Sequence, residues 1–175
     1  MARSIVEIMQ ELENDKEFLA LKATKDEEFN RLEQMFAQDE VDLVEELNNA
    51  GFDVCSVWDF VNLDNNYYKA KDILFNHLEI KHHPRILEGI ARALAVPEFG
   101  DDDRLWATLI KMYVNTLPDS EIEISEERGL QQGIATALSV LTTPSRLEAL
   151  KNLLKENPNR DGTEFFEERI AELSS

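Results

Sequence analysis

The sequence is poor in the residues that mark secreted and membrane-spanning proteins. Its 175 residues include one cysteine, Cys55, so no disulfide can form within the chain and a reducing compartment is expected. The first 14 residues contain three glutamates and lack the apolar core of a signal peptide. The longest charge-free run, residues 129–145, is too short and too polar to cross a bilayer. We therefore expect a cytoplasmic protein.

Basic residues are scarce relative to acidic ones. The chain contains 18 Lys and Arg against 36 Asp and Glu, a formal net charge of −18. This charge repels phosphate, which argues against nucleic acid or an anionic membrane as the direct partner, and a basic protein is the natural complement. The apolar fraction of 43% is too high for a disordered acidic tail, so the chain is expected to fold.

Apolar residues recur with helical spacing through most of the chain, and no segment shows the sustained alternation of a strand. Capping boxes at residues 4–7 and 24–27 predict two helix starts. A further helix is expected from about Asp39 to Gly51, where glycine can adopt the left-handed conformation that ends a helix. The sequence therefore predicts an all-α protein.

An internal repeat refines this prediction. Residues 89–96 (GIARALAV) and 133–140 (GIATALSV) are identical at six of eight positions, with an offset of 44 residues. Repeats of about 40–47 residues built from paired helices are typical of HEAT and armadillo arrays. We predict one domain, 1–175, that forms a short right-handed α-solenoid. Its parts are an N-terminal helical cap (1–53), three hairpins (54–80, 84–116 and 125–157, together spanning 54–157) and a C-terminal capping helix (158–175).

The repeats resemble bacterial HEAT-like repeat proteins. The segments that carry the resemblance are Val57–Asn62, Tyr68–Ala70, Ile73–Leu74 and Glu88–Ala95, and it covers roughly residues 43–157. It implies the α-solenoid but leaves function open, because such proteins include toxin immunity proteins and relatives of the tetrapyrrole-binding bilin lyases. Alkylpurine DNA glycosylases share the broader architecture, but the acidic charge excludes their DNA-binding face.

The chain lacks a recognisable catalytic or metal-binding pattern. His77 and His82 are five residues apart and cannot share a helical face, and the His82–His83 pair precedes a proline, so we expect turn histidines, one of which caps a helix. Cys55 lies beside valines and is expected in the core. We predict no catalytic residue, no metal and no cofactor.

Three consecutive aspartates, Asp101–Asp103, are the remaining candidate for a cation site. They lack the alternating spacing and closing glutamate of a calcium loop. Negative charge is favourable at a helix N-terminus, so we expect this run to cap a helix that begins near Arg104.

Acidic residues are concentrated in both arms of the chain. Residues 1–53 hold 5 basic and 15 acidic residues, residues 54–100 hold 5 and 6, and residues 101–175 hold 8 and 15. A solvated surface explains this pattern as simply as an anionic concavity that steers a basic protein into place. We predict the second: an acidic immunity protein that occludes a basic bacterial toxin, such as a nuclease. The predicted contact residues are Asp59, Asp64, Asp101, Asp102, Asp103, Asp119, Glu121, Glu123, Glu126 and Glu127.

Two alternatives stay open at the level of sequence. A tetrapyrrole chaperone or lyase would bind its ligand in an apolar groove, for which the hairpin aromatics are candidates, although their helical spacing fits a core equally well. These aromatics are Trp58, Tyr67, Tyr68, Trp106 and Tyr113. A general scaffold is the third hypothesis.

Overall fold

The computed structural model describes residues 15–61, 68–116 and 126–175. Within these ranges the chain forms α-helices and two single-turn 3-10 helices, Pro97–Phe99 and Pro144–Arg146, and no strand. The all-α prediction is confirmed. The helices are α1 (Lys16–Asp39), α2 (Val41–Asn49), α3 (Val57–Val61), α4 (Tyr68–Leu78), α5 (Pro84–Ala93), α6 (Asp103–Asn115), α7 (Glu126–Leu141), α8 (Leu147–Glu156) and α9 (Thr163–Leu173).

The chain divides into two compact units, residues 1–38 and 39–175. In the first unit, the side chain of Asp15 accepts the N–H groups of Glu17 and Phe18 at 2.9 and 3.2 Å and so caps the start of α1. The predicted helix start at residues 24–27 is wrong, because α1 continues through them without a break. The Thr24 hydroxyl instead donates to the carbonyl of Ala20, one turn earlier.

The second unit begins before the predicted boundary at residue 53. Helix α2 packs against α4, and its Leu43 and Leu47 are fully buried. It ends at Asn49, and Gly51 follows with φ of +97°, as the sequence predicted. Residues 39–53 therefore belong with the helices that follow them, because α2 supplies apolar side chains to their core.

Three helices of the second unit pack side by side in chain order: α3 against α5, and α5 against α7. Ile90 of α5 and Ile134 of α7, the matching positions of the repeat, are both fully buried. Small residues allow the close approach: a methyl group on Gly89 would lie 2.6 Å from Cγ1 of Val57, and one on Gly133 would lie 2.8 Å from Cγ of Glu88. The repeat therefore supplies two equivalent helices to one core.

The helix bounds agree with the predicted hairpin segments, but the closest consecutive helices are not the predicted pairs. Within the described ranges, close packing joins α4 with α5, α6 with α7, and α8 with α9. Helix α9 also packs against α7 and covers it with Phe166, which is fully buried. The C-terminal helix therefore packs against both helices that precede it.

Candidate functional site

Half of the predicted contact residues have no described side chain. Asp64, Asp119, Glu121 and Glu123 lie outside the described residues. Glu126 is the first residue of α7, but its side chain is not described. The remaining five are Asp59, Asp101, Asp102, Asp103 and Glu127, and the structure assigns two of them to local structure.

Asp59 stabilises the start of the short helix α3. Its Oδ2 accepts the N–H groups of Cys55 and Ser56 at 2.9 and 3.1 Å, which would otherwise lack partners within the helix. Cys55 is exposed, so its prediction as a core residue is wrong. Val54 and Val57 are both buried on the inner side of this turn, and the chain directs the cysteine between them outward.

Asp102 is the N-cap of α6 and confirms the predicted capping role. Its Oδ1 accepts the N–H of Leu105 at 2.9 Å, and its Oδ2 forms an ion pair with Lys71 of α4. Burial by itself would raise the pKa of this carboxyl, but the ion pair with Lys71 and the N–H groups of Leu105 and Arg104 outweigh it and lower the pKa. Asp102 therefore joins α4 to α6.

The two groups of predicted acidic residues lie at opposite ends of α6. Asp101 and Asp103 lie where the chain enters this helix, and both are exposed. Glu127 is also exposed. Its neighbour Arg128 pairs with Asp161, whose carbonyl accepts a hydrogen bond from Tyr113 near the end of α6. A 13-residue helix is about 20 Å long. The groups thus do not form one continuous patch.

Arg128 belongs to a polar network that the sequence did not reveal. Asp161, 9% exposed, accepts hydrogen bonds from Nε of Arg128 at 2.8 Å and from Nε2 of Gln132 at 3.1 Å. Its own N–H donates to the buried Gln131 at 2.8 Å, and its carbonyl accepts from the hydroxyl of Tyr113 at 3.3 Å. The network holds the loop before α9 against α6 and α7. A lone Asp-Gly pair carries no sequence signal for it.

All seven arginines of residues 39–175 contact other groups of the same unit. Some pair with carboxylates, some lie over aromatic rings and some donate to helix-end carbonyls. They are Arg85 over Trp58, Arg92 with Glu88, Arg104 with Glu79, Arg128 with Asp161, Arg146 with Asp103, Arg160 with the carbonyls of Val114 and Thr116, and Arg169 with the carbonyl of Thr142. Intramolecular contacts thus engage these cations, while carboxylates outnumber them on the surface.

The outer face of α9 is an exposed acidic surface, which we call the α9 stripe: Glu164, Glu167, Glu168 and Glu172. All four are exposed. Glu172 lies 2.9 Å from Arg169, whereas Phe166 faces the core. Each pair of like charges four residues apart lowers the stability of a helix by about 0.2–0.5 kcal/mol. The spacing of Glu164, Glu168 and Glu172, four residues apart, is present in the sequence, but none of these residues was among the predicted contacts.

Glu40 is another acidic residue that the sequence did not single out, and it is only 4% exposed. Its carboxylate accepts the N–H of Val57 at 2.9 Å and the hydroxyl of Ser56 at 3.2 Å. Burial is the main cause that raises its pKa, and the carboxylates of Asp59 and Asp39 raise it further, against the lowering effect of the two hydrogen bonds. Glu40 ties the start of α2 to α3.

The raised pKa of Glu40 leads to a prediction. Because the folded state binds this proton more tightly than the unfolded state, its contribution to stability is complete below about pH 4 and is lost as the pH rises through the folded-state pKa. Glutamine keeps an acceptor oxygen without the charge. The stability of E40Q relative to wild type is therefore expected to rise from pH 4 to pH 7, as measured by urea denaturation. Glu45→Gln, at an exposed position of α2, is the control and should follow the wild-type profile; an E40Q profile parallel to wild type would contradict the prediction.

The histidines differ from their predicted arrangement. Nδ1 of His77 lies 3.0 Å from Nε2 of His82, and the rings stack, because the turn after α4 brings residues of different elements together. Nδ1 of His82 and Nε2 of His77 lie 3.4 and 3.5 Å from the carboxylates of Asp39 and Glu46. The side chain of His83 accepts the N–H of Arg85 and caps α5, as predicted for one of these histidines.

The described members of the aromatic set considered for a tetrapyrrole groove do not all lie on the surface. Tyr113 is fully buried and Trp106 is 7% exposed, whereas Tyr68 is 63% exposed; Tyr67 lies outside the described residues. A groove of about 320 Å³ between the end of α4 and α6 has mixed polarity and is lined by Leu78, Glu79, Thr108, Lys111, Met112 and Asn115.

Comparison with known protein families, curated proteins and solved structures finds no match. The HEAT-like resemblance and the functional hypotheses therefore stay predictions. Among the described residues, no cluster of three or more His, Cys, Asp or Glu side chains is arranged to hold a metal ion, and no helix has the length and apolar character needed to cross a membrane.

Proposed function

We propose that the protein is a non-catalytic, protein-binding α-solenoid. The serial packing of α3, α5 and α7 and the equal burial of Ile90 and Ile134 support a stack of repeated helices. Such a stack gives a rigid surface on which exposed side chains keep fixed positions, which suits the recognition of another protein.

The proposed partner is a basic protein, and more narrowly a bacterial toxin domain such as a nuclease, which the protein neutralises as an immunity protein in the cytoplasm. The observation that carries this proposal is the pairing of charges: the arginines of residues 39–175 are engaged within the unit, while the α9 stripe stays exposed. Nuclease active sites are cationic because they bind phosphate, so an anionic surface would both speed association and cover the site.

The α9 stripe is the surface we assign to this contact. Its repeated like charges disfavour the helix locally, and only Glu172 has a cation, Arg169, beside it within the described helix. A local destabilisation that no contact within the protein offsets is typical of positions retained for binding. Neutralising the stripe should therefore weaken binding without harming the fold.

The test is affinity capture from a lysate of the native host with wild type and with the triple variant Glu164→Gln/Glu167→Gln/Glu168→Gln. Wild type should retain a basic protein, identified by mass spectrometry, and added wild type should inhibit its activity. The triple variant should bind that protein at least about tenfold more weakly, because steering and rim contacts are lost. Its unfolding midpoint should stay equal or rise slightly, because like-charge repulsion is relieved.

A matched control carries the same change of charge elsewhere. Asp42→Asn/Glu45→Gln/Asp53→Asn removes three exposed carboxylates at the other end of the second unit and should bind as wild type does, apart from a small general effect. If the two triple variants lost affinity equally, the α9 stripe would not be the contact surface. Retention of no basic protein by wild type would refute the function itself.

A further inference from the structure

Helix α1 presents an apolar face that is exposed among the residues the structure describes. None of the residues of α1, all of which are described, is buried. Its large apolar side chains include Phe18, Leu21, Phe29 and Met35, which are 39%, 56%, 61% and 37% exposed. A helix of 24 residues gains most of its stability from the burial of such a face rather than from helix propensity. We therefore expect another surface to pack against this face.

The spacing of this face is that of a coiled coil. Phe18, Leu21, Lys25, Glu28, Leu32 and Met35 follow one another at intervals of three and four residues and occupy successive a and d positions of a heptad repeat. The two outer layers at each end are apolar, and the two central positions carry opposite charges. A central polar layer in a coiled coil sets register and orientation at some cost in stability.

The charges along α1 favour a second copy of α1 as the helix that covers this face. Residues 16–25 carry three lysines and one glutamate, whereas residues 26–38 carry four acidic residues and one arginine. A second copy of α1 in antiparallel orientation brings the basic half of each helix against the acidic half of the other. A parallel copy would place Lys25 against Lys25 and Glu28 against Glu28, which is unfavourable.

We propose that α1 is a self-association helix, which pairs with α1 of a second copy as an antiparallel coiled coil. In antiparallel coiled coils each a position faces a d position of the other helix. The register that follows from the heptads pairs Phe18 with Met35, Leu21 with Leu32, and Lys25 with Glu28, each twice by symmetry. This inference is independent of the proposed toxin partner, which contacts the second unit.

Sedimentation equilibrium of the full chain tests the association. The monomer has a mass of 20.1 kDa, so a species of twice that mass is expected to form as concentration rises over roughly 1–100 µM. A monomeric mass throughout this range would overturn the proposal. Val41→Glu, at a 54% exposed apolar position of α2, should leave the association unchanged.

Charge exchange tests the central layer. Lys25→Glu alone places two carboxylates opposite each other, and Glu28→Lys alone places two ammonium groups opposite each other, so each variant should associate at least about tenfold more weakly than wild type. Mixing the two variants restores opposite charges in both central layers, and the mixture should form a heterodimer. Circular dichroism checks that helix content is kept. A dimer that neither single variant weakens would refute the register.

Crosslinking tests orientation. In chains in which Cys55→Ser removes the native thiol, Leu21→Cys mixed with Leu32→Cys should form an intermolecular disulfide, because the two positions face each other only in the antiparallel register. Neither variant should crosslink with itself. Self-crosslinking of each variant would instead indicate a parallel pair and would overturn the proposal.

Discussion

Replacing Ile134 with alanine is expected to lower the free energy of unfolding by about 2–5 kcal/mol. The Ile134 side chain is fully buried and lies where α7 packs against α5. Alanine removes three carbon atoms there and leaves a cavity that two packed helices cannot close. Urea denaturation measures the loss. Ile90→Ala, at the equivalent position of α5, should cost a similar amount because the repeat gives it an equivalent burial.

The control is Ile80→Ala. Ile80 follows α4 and is 52% exposed, so the same loss of atoms should change the unfolding free energy by less than about 0.5 kcal/mol. Because Ile90 and Ile134 belong to helices in contact, the double variant Ile90→Ala/Ile134→Ala need not equal the sum of the single changes. An Ile134→Ala cost as small as that of Ile80→Ala would contradict the placement of Ile134 in the core.

Gly162→Ala is expected to destabilise the protein by about 2–5 kcal/mol, through two separate causes. Gly162 precedes α9 with φ of +85°, and a side chain in this left-handed conformation costs about 1–2 kcal/mol. A methyl group there would also lie 2.6 Å from Cβ of Ala135 on α7, and relief of this clash by movement of a packed helix costs about 1–3 kcal/mol. Thermal and urea denaturation report the sum.

Gly51→Ala separates the two causes. Gly51 has a similar φ of +97°, but no atom lies within 4 Å of the position that a methyl group would take. This variant should therefore lose only the conformational part, about 1–2 kcal/mol. Equal losses at the two glycines would show that the contact between the start of α9 and Ala135 is not tight.

Local chemistry made part of the fold predictable. Asp102 caps α6 and Gly51 follows the end of α2 as expected, because each role depends on a few neighbouring residues. The same local reasoning failed at residues 24–27, where a capping box lies within a longer helix. A capping box is favourable only where the preceding residues are not helical, and the sequence motif does not contain that condition.

The candidate site was less predictable, because exposure and pairing depend on residues distant in sequence. Asp102 was predicted both to cap a helix and to contact a partner, but its ion pair with Lys71 of α4 carries no signal in the sequence. Asp101 and Glu127 belong to one acidic arm of the chain, yet α6 separates them. The glutamates of α9 became a candidate surface only once Phe166 showed which side of the helix is buried.

The amino-acid sequence alone shows that this protein is helical, strongly acidic and internally repeated, because helix periodicity, net charge and residue identity at a fixed offset are all properties of the sequence. Which of these charges lie exposed on the surface depends instead on how the helices pack. Arg128 reaches Asp161 and Arg146 reaches Asp103 across 33 and 43 residues, and only the packing of helices brings such pairs within hydrogen-bonding distance. The surface charge is therefore a result of the fold, although the total charge is not.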